Sequence, residues 1–532
     1  MTIAFLGFLV FCGVGQAADE PLARLEPIQK VEIGQNAEFI VNGKPFFPLA
    51  SWLQSTGRYP KLRELGINVF VGNHNNTPPA DEMASLAMKA GAYAMPLFNG
   101  VGAGNPGIFG WILDDEPDLT SKVSDAVVTP AKGLRINPAA PLSAMLDGNP
   151  KSGSVIDPMA EAAFTFELKA PVTIKSLAVS LPAVKDDANA QPTELTFLID
   201  GKEILKTPVE TKVGQQRFDL PQPATFQKLE VQVSTAKAGK LAWGLINEIE
   251  GFDADGKNVL KSEPYGRVHQ LPEETLAKYN RIKAADPGKP VWLTVTARFL
   301  PRYEGWHKVP LETIRPMYAK WAQANDAFGT DIYPIYGFNK PEWLLDNIVA
   351  LKKMRELAGP NRPLYIWIET GNGGQQQSPT SKVEPKHTRA EVWMSIIAGA
   401  RGIGYFTHAW KPTFSEFNCD EPMQAELKRL NTQITRLAPA ICAAPAKAKT
   451  EIAFDNGISG HLMANDAEGG LFIVAQNLDL SGKSAKAKIT VEGLRAGTKV
   501  EVVDENRTIV AAEGSFEDTF DALAEHVYRV TP

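Results

Sequence analysis

Two carboxylates stand where apolar segments give out. Gly110-Trp-Ile-Leu-Asp-Asp-Glu-Pro117 runs from an apolar stretch into Glu116, and Tyr365-Ile-Trp-Ile-Glu-Thr-Gly371 does the same into Glu369. An acid at the C-terminal end of a parallel strand is placed for chemistry, because the loops that line a barrel site gather at that end. Two such groups, one protonated and one ionised, make a general acid and a nucleophile, the set that breaks an acetal. Each also has a plainer reading: Glu116 as a helix N-terminal acid before Pro117, and Glu369 as half of a rim salt bridge.

Other residue types fit the same chemistry. Trp52, Trp111, Trp367 and Trp410 sit at or near expected strand ends, and their faces suit the C–H surface of a sugar ring. For Trp111 and Trp367, core packing is the alternative. Asn73 and His74 after the second strand and His408 after the eighth are candidate hydroxyl-binding groups. The seven His residues include no H-x-x-x-H pair suited to zinc. Gly100-Val-Gly-Ala-Gly-Asn-Pro-Gly107 meets Pro106 and a strand where a phosphate loop would open a helix, and no G-x-S-x-G elbow occurs. No cofactor is expected for catalysis.

Positioning such a pair takes alternating strands and helices. Apolar strands are expected at 47–53, 67–71, 93–98, 108–113, 291–296, 329–335, 364–369 and 403–406. Amphipathic helices are expected at 61–65, 82–90, 272–285, 311–324, 343–357, 389–400 and 421–437, with none in the third unit. Eight units predict a (β/α)₈ TIM barrel, an open doubly wound sheet being the alternative. Strands four and seven then face each other, so Glu116 and Glu369 are expected roughly 5–5.5 Å apart, the spacing of a retaining pair. An alternating hairpin over 31–47 precedes the barrel. Residues 120–264 lack helical periodicity and read as an inserted all-β sandwich that leaves and re-enters at one loop. Residues 446–532 read as a second, small β-sandwich, leaving 18–119 and 265–445 as the two parts of the barrel.

Strands that end on carboxylates at these two positions resemble those of clan A glycoside hydrolases. The resemblance covers roughly residues 45–118 and 265–440, and the run from His387 to Phe406 is similar to the end of such barrels. It implies Glu116 as acid/base, Glu369 as nucleophile, Trp410 as the platform under the scissile sugar and Tyr333 as a hydroxyl bonded to the nucleophile. Most of the clan carries Asn before the acid/base, whereas Asp115 stands here as the expected partner of a sugar hydroxyl. Asp-Glu-Pro in that place is similar to the beta-galactosidase-like branches. Within the insert, Ala140-Pro-Leu-Ser-Ala-Met-Leu-Asp-Gly-Asn149 and Leu245-Ile-Asn-Glu-Ile-Glu-Gly-Phe252 resemble the discoidin-like (coagulation factor type C) sandwich of many carbohydrate-binding modules. That resemblance implies a structural Ca²⁺ on Asp147, Asn149 and Glu248. An ordinary Asp-Gly turn and a strand-end Glu are the alternative.

The functional expectation is a secreted or periplasmic retaining glycosidase acting on a poly- or oligosaccharide. Its rival is a non-catalytic carbohydrate-binding or scaffold protein on a degenerate barrel, favoured by Asp115. Composition agrees with a neutral ligand: a net charge of −6 over 532 residues gives no electrostatic reason to bind nucleic acid or an anionic membrane. The apolar segment 3–14 is too short to span a bilayer and reads as a signal-peptide core cleaved near Ala17, although no Lys or Arg precedes it. Of the three cysteines, Cys419 and Cys442 would remain, either paired or as two buried thiols.

Overall fold

Strands that read as unbroken apolar runs are buried on both faces, as parallel strands flanked by helices must be. The computed structural model describes residues 23–73, 77–124, 127–135, 137, 140–183, 188–261, 264–374 and 382–531. The expected signal segment and His74 lie outside these.

Eight parallel strands form one sheet: β1 (Leu49–Trp52), β2 (Val69–Val71), β3 (Tyr93–Met95), β4 (Trp111–Asp115), β5 (Val291–Thr296), β6 (Ala327–Asp331), β7 (Leu364–Glu369) and β8 (Gly402–Phe406). Each is hydrogen-bonded to its neighbours in sequence order, and β8 pairs with β1. The remaining seam, between β3 and β4, is carried by the parallel bridges Ala94↔Ile108 and Leu97↔Ile112 rather than by a full ladder. The ring rules out an open doubly wound sheet.

Helices α1 (Tyr59–Glu64), α2 (Ala80–Ala90), α3 (Pro272–Ala285), α4 (Leu311–Trp321), α5 (Asp346–Ala358), α6 (Pro385–Ile397) and α7 (Glu421–Ile441) follow β1, β2, β4, β5, β6, β7 and β8. Their ends obey local chemistry. The Asp420 carboxylate caps α7 by accepting from the Met423 amide at 3.0 Å, and α2 stops at Gly91 in the left-handed region (φ +88°). No helix follows β3.

The barrel is filled, not hollow. The rings of Tyr365 and Trp367 project inward from β7 and bond Thr294 Oγ1 at 2.9 and 3.0 Å. The strands on either side make room for them. A Cβ at Gly329 would lie 2.1 Å from the Tyr365 ring, and one at Gly404 2.2 Å from the Trp367 ring. Below them, Phe39 of the N-terminal three-stranded sheet stacks on Trp292 at 5.1 Å and plugs the bottom.

The long segment between β4 and α3 pairs within itself. Ala163–Leu181 and Gly214–Lys237 are the central strands of a six-stranded antiparallel sheet around its own apolar cluster of Phe164, Phe166, Leu195, Phe197, Leu229 and Val231. At its base, Thr120–Ser124 and Pro264–Val268 pair antiparallel. The chain therefore leaves and returns side by side: the His269 amide bonds the Leu119 carbonyl at 2.8 Å. Beyond α7, a six-stranded and a three-stranded antiparallel sheet enclose Ile473, Ile489, Phe516, Phe520 and Tyr528. Cys419 and Cys442 are separate buried thiols.

Candidate active site at the C-terminal end of the barrel

The end of β4 is bent out of the ladder. Trp292 opposes Ile112 but Thr294 opposes Asp115, so β4 holds one residue more than β5 over this interval. Such a bulge re-aims the residues after it. Asp115 emerges exposed at the mouth, and Glu116 follows with φ +49°, a left-handed conformation that costs a non-glycine residue energy. The bend is pinned from beyond. Fully buried Asp118 accepts from the Thr296 amide at 2.9 Å, the Thr296 hydroxyl at 2.5 Å and the Tyr318 hydroxyl at 2.8 Å, tying this turn to the end of β5 and to α4.

The carboxyl that meets Glu116 belongs to Asp331, the last residue of β6. The two side chains are hydrogen-bonded. Burial, the Asp331 charge and the hydrogen bond to it push Glu116 well above the usual carboxylate range, against the opposing charge of Arg298. Asp331 is itself raised to about 7, by burial and by the charges of Asp115 and Asp118, while the bond from Glu116 holds it down. The signs describe one arrangement: Glu116 carries the proton and donates it to an ionised Asp331. Like charges in contact cannot both persist, and the environment decides which group ionises first. Tyr333 lies beside the pair, its hydroxyl kept protonated by burial and by Asp331, Glu116 and Asp115. His269 and His307 are lowered to about 4 by burial and by Arg298, so both are neutral at neutral pH.

Glu369 ends β7 as expected but does not meet Glu116 in the mouth. Its side chain is 0% exposed, and its oxygens accept from the amides of Ile335 at 3.0 and 3.1 Å and of Tyr336 at 2.6 Å. Burial raises it to about 8, and buried Glu391 on α6, raised by burial and by the Glu369 charge, is its charged neighbour. Glu116 is thus in contact with Asp331, and Glu369 with the amides of Ile335 and Tyr336. The physical reason is local: two free amides of the β6–α5 loop need acceptors, and Glu369 supplies them. Tyr333 correspondingly serves the Asp331 side.

The remaining candidates divide. Trp52 is half-buried at the end of β1, edge-on to Trp367 at 5.4 Å, and Trp410 is exposed on the β8 loop. Trp111 and Trp367 take the core alternative. The indole N–H of Trp111 donates to Asp286 at 3.0 Å outside the barrel, and Trp367 fills the interior. Asn73 is consumed by backbone, donating to the Pro78 carbonyl at 2.8 Å and accepting from the Leu97 amide at 3.0 Å. His408 is buried between the rings of Phe406 and Phe414 rather than presented to a ligand.

Sequence reasoning missed Asp331, Asp118 and Arg298. Asp331 had a signal: Ala327-Phe-Gly-Thr-Asp-Ile-Tyr-Pro334 also runs an apolar strand into a carboxylate, hidden when the strand is extended to residue 335.

In the insert, Asp147 and Glu248 are both buried and hydrogen-bonded to each other. Burial, then the bond to Asp147, pushes Glu248 up to about 9. The Asn149 amide donates to both carboxylates, at 2.7 and 2.8 Å, while the Asn149 side chain is occupied by the Lys151 amide at 3.1 Å. Glu248 Oε2 is buried without a partner. An orphan oxygen beside a second carboxylate suits a hard cation. Asn149 meets the two carboxylates through its backbone amide.

No family model and no curated protein matches the chain. Solved structures do, at low similarity. The family 32 carbohydrate-binding module of C. perfringens NanJ, solved with galactose, is 12% identical over 25% of this chain and 97% of its own, with a TM-score of 0.19. An Anoxybacillus alpha-amylase is 12% identical over 50% of this chain and 57% of its own, with a TM-score of 0.34. The Geobacillus thermoleovorans alpha-amylase, solved with acarbose, is 11% identical over 50% and 58%, with a TM-score of 0.33. This chain thus spans less than three fifths of either amylase.

Proposed function

We propose that the chain is a glycoside hydrolase in which Glu116 is the proton donor and Asp331 its ionised partner. One observation carries this reading: adjoining carboxyls at the ends of β4 and β6, of which Glu116 is pushed up by its partner while the contact holds Asp331 down, which supports Glu116 as the donor. Glu116 gives its proton to the departing glycosidic oxygen while an Asp331 oxygen forms a bond to the anomeric carbon, yielding a glycosyl ester and a free alcohol. The Glu116 carboxylate then takes a proton from water, whose oxygen displaces Asp331 and regenerates both groups. The pair is in contact, closer than the roughly 5–5.5 Å of a retaining pair, so substrate has to part the two groups; double displacement with retention needs the smaller opening, inversion the larger one of roughly 6.5–9.5 Å. Exposed Asp115, whose charge acts on Asp331, is an acceptor for a sugar hydroxyl, and Trp52 and Trp410 supply apolar faces.

The same reading takes the insert as a discoidin-like, carbohydrate-binding-type module with a structural calcium held by Asp147 and Glu248. Bound there, the ion would neutralise two carboxylates that otherwise share a proton. Export through the segment 3–14 completes the proposal. No helix among the described residues is long and apolar enough to cross a membrane.

The test is a panel of aryl glycosides and soluble polysaccharides, with the first-formed anomer followed by NMR. Support is hydrolysis with retention, abolished in Asp331→Asn and cut steeply on poor leaving groups in Glu116→Gln. Binding to polysaccharide with no turnover of any substrate would leave the carbohydrate-binding alternative standing instead.

A further inference from the structure

Exposed aromatic rings are costly on a soluble surface, so their distribution is informative. Among the described residues only three Trp, Phe or Tyr side chains are exposed: Trp306 (42%), Trp410 (48%) and Phe414 (53%). All three lie on loops at the C-terminal end of the barrel, Trp306 after β5 and the other two after β8. Among the described residues none is on the insert or the C-terminal sheets.

The two groups are built differently from a stray surface ring. Trp306 lies against Phe338 of the β6 loop at 4.7 Å and against Tyr303 at 6.0 Å, and Phe338 continues to Trp343 at 5.8 Å. This wall is anchored, since the Tyr303 hydroxyl bonds Asp346 at 2.8 Å and Arg302 covers the Trp343 ring at 4.8 Å. It also reaches the carboxyl pair. Arg298, whose charge acts on Glu116, extends to the Trp306 carbonyl at 3.5 Å. Across the mouth, Trp410 and Phe414 pack at 5.1 Å, and the Trp410 amide is tied to the Gly373 carbonyl at 2.9 Å. β5 and β8 are three strands apart in a ring of eight, which puts the platforms on different sides of a mouth about 15 Å wide at backbone level.

We infer that Trp306 with Phe338, and Trp410 with Phe414, are two stacking platforms for one linear, uncharged oligosaccharide that lies across the mouth and over Glu116 and Asp331. The inference rests on the glycosidase reading of that pair and adds to it: the substrate is a chain with sugars bound on both sides of the cleaved bond, so the cut falls within chains. A pocket for one terminal sugar needs no second platform across the mouth. The charges near Trp343 are paired, Arg302 with Asp346 and Lys340 with Glu342, and Arg298 faces the Glu116 carboxyl, an arrangement that suits an uncharged chain.

The test uses the full chain and its Trp306→Ala, Trp306→Phe and Trp410→Ala variants. Retardation in native gels containing starch, mixed-linkage β-glucan, xylan or galactan reads binding. kcat/KM on oligomers of two to seven sugars from the retarding polymer reads catalysis. The expected result is a loss in Trp306→Ala that grows with chain length to about tenfold, carried by KM, and is largely restored by Trp306→Phe. Trp410→Ala should behave alike from the other end. A chain-length-dependent binding loss without hydrolysis would keep the platforms and overturn the enzymatic reading. Hydrolysis with equal losses on short and long oligomers, or products only one sugar long from the first time point, would overturn the platforms and keep the enzyme. Neither retardation nor hydrolysis overturns both.

Discussion

The sharpest consequence of the Glu116–Asp331 pair is the shape of the pH–rate profile. In this reading the working form has Asp331 ionised and Glu116 protonated. With Asp331 raised from 3.8 to about 7, only about one molecule in a hundred is in that form at pH 5. kcat/KM should therefore climb about tenfold per pH unit from pH 5 and level near pH 7. It should fall only in the alkaline range, where Glu116, held well above the usual carboxylate range, loses its proton. The two limbs belong to the pair, not to either residue alone. Asp331→Asn tests the coupling. It removes a charge that holds Glu116 up, so the Glu116 carboxyl, followed by NMR in that hydrolytically silent variant, should titrate at lower pH than in the wild type. Glu116→Gln should cost about 10² to 10⁴ in rate on substrates with poor leaving groups and far less on activated aryl glycosides. The assay is kcat/KM from pH 4 to 10 at constant ionic strength on one aryl glycoside. A profile already flat between pH 5 and 7 would refute the elevated Asp331. A Glu116 titration unmoved in Asp331→Asn would refute the contact.

Three further outcomes follow from other parts of the molecule. Asp331→Ala should be partly rescued by azide to a glycosyl azide of inverted configuration, whereas Glu369→Ala should show no rescue, because its carboxylate bonds the amides of Ile335 and Tyr336 in a closed interior. Glu248, at about 9 when folded and near 4.5 when unfolded, takes up a proton on folding between those values, so in chelator stability falls as pH rises from 4.5 to 9. At pH 7 that uptake costs roughly 3 kcal/mol, so Glu248→Gln should melt higher than wild type in EDTA and lower in millimolar calcium, and scanning calorimetry reads the crossover. Replacing 121–267 by a short Gly-Ser linker should leave a folded barrel, because Leu119 and His269 are hydrogen-bonded neighbours, and a molten circular dichroism signature would show that the insert is integral.

Most of the barrel was legible because burial on both faces writes a parallel strand as an uninterrupted apolar run. β5 and β7 fall where composition alone puts them, at Val291–Thr296 and Leu364–Glu369. Between β4 and α3, period-two alternation replaces helical periodicity, and the segment is built of antiparallel strands. Less legible was which face each inward or outward residue served. Trp111 and Trp367 read alike in sequence, yet one ring lies outside the barrel bonded to Asp286 and the other fills its centre. The two glycines that seat the inward rings, Gly329 and Gly404, show this only when neighbouring strands are in register. A β-bulge is likewise invisible to any periodicity count, and it is the bulge in β4 that turns Asp115 outward into the mouth.

The site shows why strand position alone is an incomplete guide to a catalytic pair. Glu369 and Asp331 both end apolar strands, on β7 and β6, and both carry a carboxyl shifted upward by burial. What separates them is hydrogen bonding. Glu369 takes bonds from backbone amides, which hold it as a loop anchor whose oxygens are committed. Asp331 keeps Oδ1 without a partner and shares its other bond with Glu116, so it has both a free oxygen and a mobile proton beside it. An anchor needs satisfied acceptors and a nucleophile needs an unsatisfied one. In the proposed reading the β6 carboxylate acts and the β7 carboxylate positions the loop that carries Tyr333, Phe338 and Trp343 towards the mouth. Loss of Glu369 should therefore appear as weakened binding of long substrates together with lowered stability, rather than as loss of the covalent step. Single-turnover kinetics on Glu369→Gln, in which the neutral amide keeps an acceptor for Ile335 and Tyr336, would separate the two: a glycosyl ester formed at near wild-type rate supports the anchor, and no ester at all would return the nucleophile to β7.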